Sequence, residues 1–153
     1  MAQFSLYYQQ SHDIDWFAKV GNIYVHAMSF GGRLPVEVNE QTVNTELLMA
    51  AYQIEVAEDS KAELFINNEY VDSRLSLMIE NNTNGDGVRE RYLRHFEEMA
   101  KRGFYSFDRD LNDERLYHMI VWPAKSIAPK WEVNNVPHLL EDGLDLNEGI
   151  LRI

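Results

Sequence analysis

The tightest constraint on the fold lies at residues 88–101. Projected at 100° per residue, Val88, Tyr92, Leu93, His95, Phe96, Met99 and Ala100 fall within one arc of about 160°. Glu90, Glu97, Glu98 and Lys101 fall opposite, so this segment is an amphipathic helix that must lay its apolar stripe on another layer of structure. Asp86 is an N-cap candidate, and Gly103 can take the left-handed conformation that closes a helix.

The chain beyond this helix reads as strand. Phe104 to Phe107 forms a short strand and Leu116 to Trp122 a longer one, with Leu116, His118, Ile120 and Trp122 in one phase. The acidic stretch Asp108 to Glu114 joins them as a hairpin. Upstream, Gly21-Asn22 separates Ile14 to Val20 from Ile23 to Phe30, and both turn residues tolerate the positive φ that a tight hairpin demands. In Ile23 to Phe30 both phases are largely apolar, which places this strand centrally, covered on both faces. Phe4, Leu6 and Tyr8 alternate with more polar neighbours, as in a half-buried strand.

The middle of the chain is mostly helical. Val43, Leu47, Ala51 and Ile54 recur at helical spacing, with Asn39 or Asn44 as cap. Ser60 and Glu63 offer a capping box for a second helix carried by Leu64, Val71, Leu75, Met78 and Ile79, with Asn67-Asn68 as a break within it. The alternative for Tyr52 to Tyr70 is a strand pair, since β-branched and aromatic residues crowd there. Beyond Pro123 periodicity fades, and the tail reads as an irregular wrap ending in Ile150-Leu151. Together these elements predict one α+β domain spanning 1–153, built from a strand region (1–35), a helical region (36–81), a helix plus β-hairpin (86–122) and the wrap (123–153). Its core would be a mixed, mainly antiparallel sheet of about four to five strands, with two or three helices packed on one face.

Charge narrows the function classes. The net charge is −11, with acids dominating 1–87 and 103–153, while 88–102 is locally basic through Arg89, Arg91 and Arg94. Phosphate backbones and anionic lipids are met by dense Lys/Arg surfaces, so general nucleic-acid binding and membrane binding are not expected. No apolar run reaches the length of a membrane-spanning helix, and Met1 to Gln10 lacks the layout of a signal peptide. The absence of cysteine excludes disulfides and thiolate chemistry and fits a cytoplasmic protein.

Few residue sets suggest chemistry. Asn82-Thr83-Asn84-Gly85-Asp86-Gly87 resembles the first half of an EF-hand calcium loop, with Asn82, Asn84 and Asp86 as candidate ligands. Leu93 occupies the position where that loop needs a bidentate acid, so no metal and no cofactor is expected from it. His26 and His118 each lie in a strand, in phase with apolar neighbours, where an imidazole must find partners or titrate abnormally. If their strands are neighbours, the two could meet with Tyr24 and with Asp13 or Asp15. Gly31-Gly32-Arg33 follows the central strand and could hold an anion, although it lacks the rest of a P-loop. No Gly-x-Ser-x-Gly is present.

The expectation is therefore a non-catalytic protein-binding or regulatory module whose acidic surface meets a basic protein partner. The competing expectation is a small hydrolase or transferase using His26, His118, Arg33 and Asp13 as catalytic residues. The two differ spatially, in whether histidine, arginine and carboxylate share a pocket.

Overall fold

The computed structural model describes residues 2–40, 44–56, 63–80 (backbone alone at 78–80) and 87–153. Its helices are α1 (Leu6–Ser11), α2 (Val36–Asn39), α3 (Asn44–Tyr52), α4 (Asn68–Glu80) and α5 (Val88–Lys101). Its strands are β1 (Asp15–Val20), β2 (Ile23–Met28), β3 (Leu64–Ile66), β4 (Tyr105–Arg109), β5 (Leu116–Pro123), β6 (His138–Leu139), β7 (Leu144–Asp145) and β8 (Ile150–Arg152). They join in one sheet of order β6-β1-β2-β4-β5-β8-β7, with β3 paired to the end of β5 that β8 leaves free. Pairing is parallel for β1–β6 and β2–β4 and antiparallel elsewhere.

The fold is α+β, but the expected sheet of four to five strands with two or three helices is wrong. Among the described residues, eight strands form a strongly curled half-barrel, accompanied by five helices, three of them seven residues or longer. The missing strands lie mainly in the tail read as an irregular wrap. Strands of two or three residues are too short to show a period of two. They exist because longer strands offer free backbone groups at their edges. Lys19 N, for instance, donates to Pro137 O at 2.8 Å, which docks β6 on β1.

Two further expectations change. Phe4, Leu6 and Tyr8 do not form a strand; the segment turns helical after Ser5, whose Oγ accepts from Tyr8 N at 3.1 Å as an N-cap. Asn67-Asn68 starts α4 instead of breaking a helix. Asn67 Oδ1 accepts from Tyr70 N while Asn67 Nδ2 donates to Met119 O, tying the helix start to β5. Within Tyr52 to Tyr70, Leu64–Ile66 is strand. Val43, Ser60 and Asp86 lie outside the described residues, as do the side chains of Met78 and Ile79.

The hairpin across Gly21-Asn22 is present. Gly21 has φ +58°, and a Cβ there would stand 2.3 Å from Glu141 Oε1. The strand it opens, β2, lies between β1 and β4, with Val25, His26 and Ala27 all fully buried. The second hairpin, β4–β5, is present too, with a bulge that shifts register between Ser106 and Phe107. Helix α5 keeps its apolar arc, burying Val88, Leu93, Phe96, Met99 and Ala100.

The sheet buries both faces. On one, Trp16, Ala18, Val20, Val25, Ala27, Phe107, Tyr117 and Met119 pack with Leu34 and with Val38 of α2. On the other, Phe17 meets Leu47 and Ala51 of α3, while Phe96 and Ala100 of α5 and Val71 and Leu75 of α4 pack with Ile120 and Val121. Helices therefore do not all lie on one face: α2 packs on the first, and α3, α4 and α5 on the second. No described helix is long and apolar enough to cross a membrane.

Candidate functional site

Strand alternation puts Asp15 and His26 on the helix-facing side of the sheet. Asp15 is opposite Met28 and His26 opposite Phe17, so the two are diagonal neighbours on paired strands. Helix α5 lowers His95 onto the same spot. His26 Nε2 lies 2.8 Å from Asp15 Oδ2, and His95 Nε2 bonds to that same oxygen. On its other side, His26 Nδ1 lies 2.5 Å from Ser106 Oγ, contributed by the residue directly across on β4. Asn44 Nδ2 anchors the backbone of the acid, donating to Asp15 O at 2.7 Å.

The charges in this chain of contacts follow from burial and partners. Burial opposes the Asp15 charge, but hydrogen bonds from His26 and His95 and their attraction hold its carboxyl well below the usual carboxylate range. Complete burial pushes His26 down, outweighing the pull of Asp15. The hydrogen bond to Asp15 pushes His95 up against the cost of its partial burial. A neutral His26 that donates from Nε2 must accept at Nδ1, so the Ser106 hydroxyl is the donor there.

Ser106, His26 and Asp15 are the residue types of a nucleophilic triad. Ser106 and His26, however, are both 0% exposed, so no substrate carbonyl can reach the hydroxyl. The accessible edge of the cluster is His95, about one-third exposed.

That edge lines a cavity of about 430 Å³ with Asp13, Met28, Phe30, Arg74, Tyr92 and Asp108 among its walls. At its back, Arg74 Nη2 and Asp108 Oδ2 pair at 3.3 Å, each side chain only 5% exposed. Tyr92 OH donates to Asp108 Oδ2 at 2.7 Å, and Arg74 Nη1 donates to Arg109 O at 2.7 Å and to Tyr70 OH at 3.0 Å. Burial raises Asp108 despite Arg74 and Tyr92, and burial together with Asp108 raises Tyr92. At the mouth stands Phe30, 46% exposed and the one non-glycine residue with positive φ among the described residues, at +46°. Its N–H donates to Asp13 Oδ1 at 2.8 Å, and the Arg74 and Arg109 guanidinium carbons lie 5.1 and 5.5 Å from the ring centre.

The structure gathers some sequence-predicted site residues and separates others. His26 lies in the cluster and Asp13 at the cavity beside it. His118 shares the helix-facing side of the sheet but pairs with Asp110 at 2.8 Å and stacks on Tyr70, 3.9 Å between ring centres. Arg33 lines a separate cavity of about 380 Å³ with Arg115, Leu139 and Asp142. The calcium-loop residues Asn82, Asn84 and Asp86 lie outside the described residues. Sequence reasoning missed His95, Ser106 and the Arg74–Asp108–Tyr92 network. The signal for His95 was present, an imidazole inside the apolar arc of α5. A larger cavity of about 520 Å³, bordered by Ala100, Lys101, Arg102, Lys125 and Lys130, shares no lining residue with this one.

Among the described residues, Asp15, His26 and His95 form the one group of three histidine or acidic side chains whose ligating atoms all lie within 4.8 Å of one another. A scan against protein-family models and searches of curated proteins and of solved structures returned no match.

Proposed function

We propose that the protein is a small hydrolase or group-transfer enzyme acting on an organic molecule held in the Phe30–Arg74–Tyr92 cavity, with its reacting centre at Asp15, His26 and His95. One observation carries this reading: His95 belongs both to the buried polar cluster and to the cavity wall. Buried polar side chains cost stability unless fully partnered, and a fold that buries His26, Ser106, Arg74 and Asp108 in and beside one cavity has a use for them there. The cavity supplies Met28, Phe30, Leu77, Phe96 and Leu111 for apolar contact and Asp13, Arg74, Tyr92, His95 and Asp108 for orientation, the mixture a small-ligand site needs.

The test is turnover of a panel of ester, phosphoester, amide and glycoside substrates by the full chain. His95→Ala should lower kcat/KM on the order of a hundredfold or more, the scale of removing a group that touches the reacting atoms. Phe30→Ala should act mainly through KM. Turnover by no member of the panel, or turnover indifferent to His95→Ala, overturns the assignment.

The second reading is a non-catalytic module for a basic protein partner. It is favoured by α1, where Tyr7 is 80% and Leu6 46% exposed on an acidic molecule. It requires that capture of a specific basic partner be lost in Tyr7→Ser and unaffected by His95→Ala.

A further inference from the structure

We infer that Asp15, His26 and His95 bind one divalent transition-metal ion of the zinc, cobalt, nickel or iron(II) kind. The inference rests on the enzymatic reading for what the ion would do there, while binding itself is measured without a substrate.

The donor set selects the class. Two imidazole nitrogens and one carboxylate oxygen suit borderline first-row metals; calcium and magnesium prefer all-oxygen shells, which this site does not supply. Three protein ligands leave at least one position for water or substrate, as catalytic sites do. His95 is the ligand that also lines the cavity, so the site borders the space where a substrate would lie through that residue.

The spacing is also right. Ligands of a tetrahedral ion at about 2.1 Å stand about 3.4 Å apart. Here the three ligating atoms fall within 4.8 Å, and His26 Nε2 is 2.8 Å from Asp15 Oδ2. Both imidazoles now bond the same Asp15 oxygen, so an ion enters only when both contacts open, the His26 one by about half an ångström and the His95 one by more. Two ligands come from hydrogen-bonded neighbouring strands and the third from α5, which packs chiefly on β4 and β5 of the same sheet and brings His95 and Phe96 against the His26 ring.

Ser106 supplies the outer partner that a ligating His26 needs. To ligate through Nε2, His26 must move its proton to Nδ1, which then needs an acceptor. A hydroxyl can donate or accept, so Ser106, 2.5 Å away, serves the ring in both the hydrogen-bonded and the metal-bound state. A backbone N–H or an ammonium at that place would forbid the switch.

The experiment uses the full chain, stripped with a chelator and titrated with Co²⁺ alone under visible absorption, then with Zn²⁺ in competition. The expected result is one ion per chain, with cobalt bands showing nitrogen and oxygen ligation and displaced by Zn²⁺ but not by equimolar Ca²⁺. His95→Ala and Asp15→Asn should each weaken binding at least tenfold, Ser106→Ala by roughly 10- to 100-fold, and His118→Ala not at all. His95 lies on the exposed side of the cluster, so its substitution reports even if Asp15→Asn fails to fold. Absence of a stoichiometric cobalt spectrum, binding that survives His95→Ala, or displacement by Ca²⁺ overturns the inference. A chain that binds the ion yet turns over no substrate removes the enzymatic reading alone. A chain active on substrate that shows no cobalt site removes the metal alone.

Discussion

The two faces of the sheet are built from the same strands and differ residue by residue. His26 lies between Val25 and Ala27, and Ser106 and Asp108 flank Phe107, all buried. One set, with Trp16, Ala18, Tyr117 and Met119, forms an apolar core whose Trp16 Nε1–H finds the Tyr117 hydroxyl at 3.2 Å. The alternate set faces α4 and α5 with Asp15, His26, Ser106 and Asp108, joined there by Arg74 and His95. Apolar burial alone suffices for one face. The other face carries buried polar groups of a kind that well-packed apolar side chains often replace without loss of stability, and such local departures from good core design are expected where function needs them.

The apolar face should respond most strongly to substitution. Trp16→Ala removes a fully buried indole and its hydrogen bond and should cost about 3–5 kcal/mol, read as a lowered urea midpoint at unchanged pH. On the polar face, Asp108→Ala should cost about 3 kcal/mol, because it leaves the Arg74 guanidinium buried without its counter-charge. The informative variant is the triple replacement Arg74→Met, Tyr92→Phe, Asp108→Leu. If the network serves the cavity and not the fold, this chain should regain stability to within about 1 kcal/mol of the parent while losing ligand binding. A triple variant no more stable than Asp108→Ala would break the contrast between the faces.

This contrast also explains which features could be read in the sequence. Helix α5 and both hairpins were legible because each spans enough residues to show a period or carries a turn residue such as Gly21 with a distinct conformational need. Strands β6, β7 and β8 were not, since two or three residues form no pattern and depend on edges made by β1 and β5, far away in the chain. The site was half legible. His26 could be placed on a sheet face with Asp13 or Asp15 near it, while His95, one member of an apolar arc, was missed. That α5 would set His95 over Asp15 depends on how the helix crosses the sheet, which no local pattern encodes. Arg33 and His118 were drawn in by their types and strand positions alone, and through-space neighbours assigned them elsewhere.

The smallest expected effect separates the buried histidine–aspartate contact from its peripheral counterpart. His118 and Asp110 meet at 2.8 Å, but Asp110 is near solvent and also accepts from the backbone of Asn112 and Asp113. Burial opposes its charge more than any one partner favours it, but the bonds from His118 and from those two N–H groups together outweigh it and lower the Asp110 pKa. A carboxyl lowered on folding contributes stability that is fully present above its unfolded value of about 3.9 and is lost as pH falls through the folded value. Asp110→Asn should therefore cost under about 1 kcal/mol near pH 6, given the solvent screening of this pair. The gap between parent and variant should close as pH falls below about 3.9, measured by urea unfolding at successive pH values. A gap that is constant with pH would mean that Asp110 acts as a turn-forming hydrogen-bond acceptor, which asparagine reproduces only in part, and that its charge contributes nothing.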